Sequence, residues 1–177
     1  MVKYIPNLLT LTRFFLIPII SFFLLKEAYL IAIAIIVLSC LTDILDGYIA
    51  RKFNVISDFG KLMDPVADKI TQLVLIALLT IQQVIGLWFL LILLTKDFIM
   101  IIGGTFLYTK SLVVSSNIFG KLSTVTIYLA ILVSMLSREF NWNNLIDDYF
   151  YYIAIVVTLF AFFNYVRLYS RKIFDIK

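Results

Sequence analysis

The chain has 177 residues, 63% of them hydrophobic, a formal net charge of +4 and no histidine. Its mean hydropathy is +1.04; soluble domains sit nearer half apolar, which excludes an ordinary soluble domain and points to an all-α integral membrane protein. The missing histidine excludes His-based acid–base work, phosphohistidine intermediates and His metal ligands, and the lone Cys40 leaves no disulfide within the chain.

Once turns are subtracted, this length leaves room for about six spans of roughly 20 residues, in one domain covering residues 1–177. The first apolar run, about Leu8 to Leu25, follows a polar start with Pro6 and Asn7. That start has no small-residue cleavage site, so a retained helix is expected rather than a signal peptide. The second run goes from Tyr29 to about Ala50, the third from Gly60 to Ile81, and the fourth from Gly86 to Tyr108. A fifth covers Leu112 to Leu136 and a sixth about Tyr149 to Tyr169. Short polar stretches join them: Lys26-Glu27, Arg51 to Asp58, Gln82-Gln83, Lys110-Ser111 and Arg138 to Asp148.

Orientation follows from the basic residues. One side collects Lys3, Arg13, Arg51, Lys52, Lys61, Lys110, Lys121, Arg171, Lys172 and Lys177, whereas the other has Lys26 and Arg138 beside Glu139, Asp147 and Asp148. An even number of spans with both termini on the basic side gives N-in, C-in, with the second connection open to the cytoplasm. The positive balance suits anionic lipid headgroups. No basic stripe with interleaved aromatics stands outside the apolar runs, so nucleic acid is not an expected partner.

Around that second connection the oily pattern breaks. Residues 43–68 read DILDGYIARKFNVISDFGKLMDPVAD. Asp43, Asp46, Gly47 and Ala50 fall at i, i+3, i+4 and i+7, one face of a helix. Gly60, Asp64 and Asp68 repeat every four residues and form a second stripe. Two short-linked antiparallel helices would set the stripes against each other, and four like charges so close would repel. A divalent cation removes the conflict, and all-oxygen carboxylate ligands favour Mg²⁺, Mn²⁺ or Ca²⁺ over zinc. The glycines leave room where a bulky group must approach the backbone.

Written as D-x2-D-G-x2-A-R-x8-G-x3-D-x3-D, the stretch resembles the signature of the CDP-alcohol phosphotransferases. Members of that family join an alcohol to the phosphoryl group of a CDP-linked lipid and release CMP. The segment Asn7-Leu8-Leu9-Thr10-Leu11-Thr12-Arg13 resembles the family's N-x-L-T-x-x-R opening. The resemblance implies a metal pair, Mg²⁺ or Mn²⁺, held by Asp43, Asp46 and Asp64 with Asp68 partly shared. It also implies Asp68 as general base for the acceptor hydroxyl, and a CDP site of Asp46, Gly47, Ala50, Arg51 and Gly60. A homodimer is a further expectation from it. The segments NLLTLTR, MDPVADK and GKLST are similar to members that attach glycerol 3-phosphate to the phosphatidyl group of CDP-diacylglycerol. KDFIMIIGGTFLY, with Lys96-Asp97 where an arginine–glutamate pair is expected, looks closer to members that use phosphatidylglycerol.

Four basic residues are candidates for an acceptor phosphate: Lys96, Lys121, Arg13 and Arg167. Lys96 sits too deep in the fourth span to reach water easily, so it needs a partner or a polar cavity; Asp97 as counter-ion is the plainer alternative. For Lys121, Arg13 and Arg167 the alternative is anchoring at the membrane surface. Two other function classes remain, a small cation transporter and a catalytically dead scaffold. The acids cluster near one face instead of stepping across the membrane, and all four aspartates are intact, so an enzyme is favoured over both.

Overall fold

The computed structural model describes the backbone of residues 5–52, 58–109, 118–142 and 144–174, with side chains over 12–42, 66–103, 118–142, 146–168 and at 170. Six helices follow in chain order: α1 (Ile5–Leu25), α2 (Tyr29–Lys52), α3 (Asp58–Ile81), α4 (Leu87–Thr109), α5 (Ile118–Glu139) and α6 (Asn144–Phe174). At 1.5 Å rise per residue each is about 30 Å long or more, the thickness of a bilayer's hydrocarbon core. Among the described residues, Ile118–Glu139 and Ile146–Leu168 are apolar and long enough to cross it without interruption. The chain is an all-α membrane protein.

The sequence-derived bounds hold for the bodies of the helices and shift at their ends. Arg51 and Lys52 belong to α2 and Asp58 opens α3, so both ends of the expected 51–58 turn are helical, and residues 53–57 lie outside the described residues. The connection expected over Arg138 to Asp148 shrinks to 140–143 because α6 starts at Asn144. Both helices begin with acidic residues, Asp58 and Asp147, and a carboxylate in a first turn offsets the positive end of the helix dipole. Their polarity, read as loop, is equally the mark of a helix start.

Helices α1, α3 and α5 end alike. The second residue past each helix, Glu27, Gln83 and Asn141, has φ between 51° and 58°. The next backbone N–H reaches back five residues, Ala28 to Phe23 (3.0 Å), Val84 to Leu79 (2.9 Å) and Trp142 to Ser137 (2.9 Å). This left-handed closure satisfies carbonyls that would otherwise be stranded, and glycine is its usual residue.

The chain divides into two units, Met1–Ile85 with Arg138–Phe140, and Gly86–Ser137 with Asn141–Lys177. In the first, α1 packs on both α2 and α3. Arg13 bonds to Asp68, and further along both helices Gln82 Nε2 donates to the Leu24 carbonyl (2.7 Å), so α1 and α3 run parallel. The interior holds Ile20, Leu24, Ala32, Ile36, Ala67, Leu75, Ile76 and Leu79. Ala32 and Ala67, fully buried, let backbones approach closely, the usual device where lipid supplies no hydrophobic drive between helices. Phe15, Phe22, Leu38 and Leu41 point outward and are more than half exposed, as lipid-facing residues should be.

In the second unit α4 and α6 meet through aromatic rings: Phe89 meets Tyr151 edge-on (4.9 Å) while Trp88 stacks on Tyr152 (5.8 Å). Gly86 stands where a Cβ would collide with the Trp88 indole, so the tight entry to α4 requires it. Helix α5 is antiparallel to α6. Its early Phe119 and Ser123 meet Phe160 and Thr158, and its late Ser134 meets Tyr151.

Candidate active site

The backbone carries α2 as helix through Lys52, so the spacing of Asp43, Asp46, Gly47 and Ala50 is spacing on one continuous helix. Gly60, Asp64 and Asp68 likewise fall on α3. The side chains of residues 43–52 and 58–65, and with them Asp43, Asp46, Arg51 and Asp64, lie outside the described residues. Among the described residues no three His, Cys, Asp or Glu come together as a metal cluster. What can be tested is the chemistry of the donor set. It contains only carboxylates, in a chain without histidine, and it fits a hard divalent cation and not zinc or copper.

Asp68 is the member of the motif whose surroundings are described. Its Oδ1 accepts a hydrogen bond from Arg13 Nη1 at 2.6 Å. The two ends of this pair differ: the Arg13 side chain is 4% exposed and that of Asp68 50%. A guanidinium buried this deeply needs an anion, since an uncompensated charge in an apolar interior costs several kcal/mol. Asp68 supplies it while turning toward open space. The pair therefore orients the carboxylate from behind, and the fixed fork of arginine suits that task better than a lysine would. Arg13, expected as a contact for an acceptor phosphate and among the surface-side positive charges, is an interior residue here and bonds to Asp68. The two lie 55 positions apart, and no local pattern connects them.

Two more polar side chains are buried in the same unit, Ser39 on α2 and Gln72 on α3. Sequence reading missed both, although the signal was there. Ser39 precedes Asp43 by one helical turn, and Gln72 follows Asp68 by one, continuing the four-residue stripe of Asp64 and Asp68. The interior of the first unit is thus graded: Leu24 and Leu79 at one end, and Arg13, Ser39, Asp68 and Gln72 toward the aspartate end.

The remaining candidates sit in the second unit. Lys96 Nζ lies 3.0 Å from Asp97 Oδ1, with side chains 10% and 15% exposed. Asp97 thus stands within ion-pair distance of Lys96. Lys121 on α5 and Arg167 on α6 are exposed, with no ion pair among the described residues.

The family model for CDP-alcohol phosphatidyltransferases matches residues 3–160. A CDP-diacylglycerol–glycerol-3-phosphate 3-phosphatidyltransferase of Aquifex aeolicus is 32% identical over 175 residues, 96% of this chain and 98% of that protein. The enzyme of the same name from Rickettsia bellii is 31% identical over 92% of this chain and 93% of its own length. A CMP-forming cardiolipin synthase of Rattus norvegicus is 37% identical over 103 residues, 58% of this chain and 34% of that protein.

Proposed function

Since the chain belongs to the CDP-alcohol phosphatidyltransferase family, we propose that this membrane transferase of phospholipid biosynthesis moves the phosphatidyl group of CDP-diacylglycerol to glycerol 3-phosphate. The products are phosphatidylglycerophosphate and CMP. The observation that carries the chemistry is Asp68, half exposed and held from behind by the buried Arg13. A carboxylate so placed can take the proton of an acceptor hydroxyl, given a pKa near the working pH. The acceptor oxygen then forms a bond to the phosphorus that bears the diacylglycerol, and the bond from that phosphorus to CMP breaks.

Asp43, Asp46 and Asp64, with Asp68 shared, are the residues that would hold one or two Mg²⁺ or Mn²⁺ ions. Bound there, such ions offset the negative charge of the diphosphate. Gly47, Ala50 and Gly60 give the CDP moiety room along the two helices, and Arg51 meets the diphosphate. Lys96, Lys121 and Arg167 are assigned to the acceptor phosphate. The six helices form a single domain, residues 1–177, with both termini and the motif on the cytoplasmic side. Two copies assemble as a homodimer.

Glycerol 3-phosphate is favoured because relatives named for it match nearly end to end. A second reading, phosphatidylglycerol as acceptor, has the cardiolipin synthase match in its favour, although this chain spans about a third of that protein. CMP release by the purified protein with CDP-diacylglycerol and Mg²⁺ separates them. Turnover with glycerol 3-phosphate alone supports the first reading, and turnover with phosphatidylglycerol alone replaces it by the second. No CMP with either acceptor, in Mg²⁺ or Mn²⁺, would sink both.

A further inference from the structure

Gln72 is a buried polar group in the first unit that the roles above leave unused. It is 4% exposed, and its Nε2 is fully buried without a hydrogen-bond partner. An amide donor stranded in this way is rare in a folded interior, where buried polar groups are nearly always satisfied by protein or water. Its position narrows what could satisfy it. On α3 it lies one turn past Asp68, about 6 Å between Cβ atoms, on the side away from Asp64. Its buried neighbours along the same helix are Ala67, Leu75 and Ile76. The amide thus stands where the polar end of this unit gives way to its apolar core.

That setting selects the chemistry of the partner. A phosphate or carboxylate would lose its hydration among aliphatic side chains with one neutral donor in return, an unfavourable exchange. A neutral oxygen, the ester carbonyl of a lipid or the hydroxyl of a polyol, loses less and gains the hydrogen bond it needs. A lone trapped water fits poorly, because it would want two or more polar partners beside Leu75 and Ile76.

Resting on the transferase reading, we propose that Gln72 contacts the substrate: its carboxamide donates a hydrogen bond to a neutral oxygen, either an ester carbonyl of the CDP-diacylglycerol donor or a hydroxyl of the acceptor alcohol. The contact fixes the substrate one turn deeper than Asp68, so that the reacting hydroxyl and phosphorus meet at the carboxylate. The bond is made in the bound ground state, so its loss weakens binding of one substrate more than it slows the chemistry.

The test is steady-state CMP release by the wild type and by Gln72→Leu, which keeps the volume and removes the amide. CDP-diacylglycerol and glycerol 3-phosphate are varied separately, and thermal unfolding is followed in the same detergent. The expected result is a fivefold to tenfold rise in one KM, the size of one neutral hydrogen bond, with the other KM and kcat within twofold. A rise for CDP-diacylglycerol assigns the ester carbonyl, and a rise for glycerol 3-phosphate assigns the hydroxyl. Both KM values unchanged would overturn the contact, as would a fall in kcat alone; a leucine variant merely more stable than wild type is what an idle buried amide predicts. Should the leucine variant fail to fold, Gln72→Asn, which keeps the amide but withdraws it by one methylene, is judged by the same KM criterion. A wild type that releases no CMP would instead fail the transferase reading.

Discussion

Both units bury polar groups, and the partners of those groups differ. In the second, two pairs of buried hydroxyls bond across the α5–α6 seam, Ser123 with Thr158 at 2.7 Å and Ser134 with Tyr151, while the buried Ser137 Oγ has no hydrogen-bond partner among the described residues. Those partners are neutral, and the bonds close on themselves. In the first unit the buried groups include the Ser39 hydroxyl, a guanidinium whose partner Asp68 is half exposed, and the amide of Gln72. Closed neutral pairs fix how two helices sit against each other. A buried cation whose partner is half exposed holds that carboxylate in one place. Interior polarity alone does not mark a site; where the polar atoms lead does.

The contrast breaks most easily at the aspartates. Asp46→Asn and Asp68→Asn should each lower CMP release by about 10²–10⁴-fold, the range for losing a reacting carboxylate, with thermal unfolding near that of the wild type. Unchanged turnover in either variant would remove that residue from the site. Chelation by EDTA should abolish CMP release, and Mg²⁺ or Mn²⁺ should restore it while Zn²⁺ does not; activity that survives exhaustive chelation would contradict the carboxylate-held cation.

Arg13 sharpens the comparison, because its proposed effect is indirect. Arg13→Ala should cost about 10–100-fold in kcat, the usual scale for groups that orient a ligand or base from behind. Arg13→Lys should recover part of that, since a lysine supplies the charge without the fork. Full activity in the lysine variant would leave charge alone as the requirement. Lys96→Met should raise KM for the acceptor about tenfold if this lysine meets its phosphate, and leave it unchanged if Lys96 serves only Asp97. The smallest effect belongs to the closed seam. Ser134→Ala or Thr158→Val should lower stability by about 0.6 kcal/mol, typical of interhelical hydrogen bonds in membranes, with CMP release intact. A large activity loss there would erase the distinction between the two interiors.

Much of this was legible beforehand. Apolar runs separated by Lys26-Glu27 and Gln82-Gln83 mark where α1 and α3 end, because a membrane helix must satisfy its backbone internally and turns collect where water returns. The misplaced boundaries have a common cause, since acids that begin a helix look the same in sequence as acids in a loop; Asp58 and Asp147 were read as loop on those grounds. The closures at Glu27, Gln83 and Asn141 were hidden because they use a backbone conformation without the glycine that usually announces it.

By itself the sequence determined the class of protein and the chemistry of its motif. Hydropathy dictates helices, and Asp43, Asp46, Asp64 and Asp68 at helical spacing form carboxylate stripes whose chemistry suits a hard cation. Only the tertiary structure decided where Arg13 and Gln72 sit. Arg13 is drawn inward by Asp68 through the parallel register of α1 and α3, and Gln72 is buried where one helix's polar stripe runs into an apolar core. Both depend on distances between helices, and a periodicity within one helix carries no information about its neighbours.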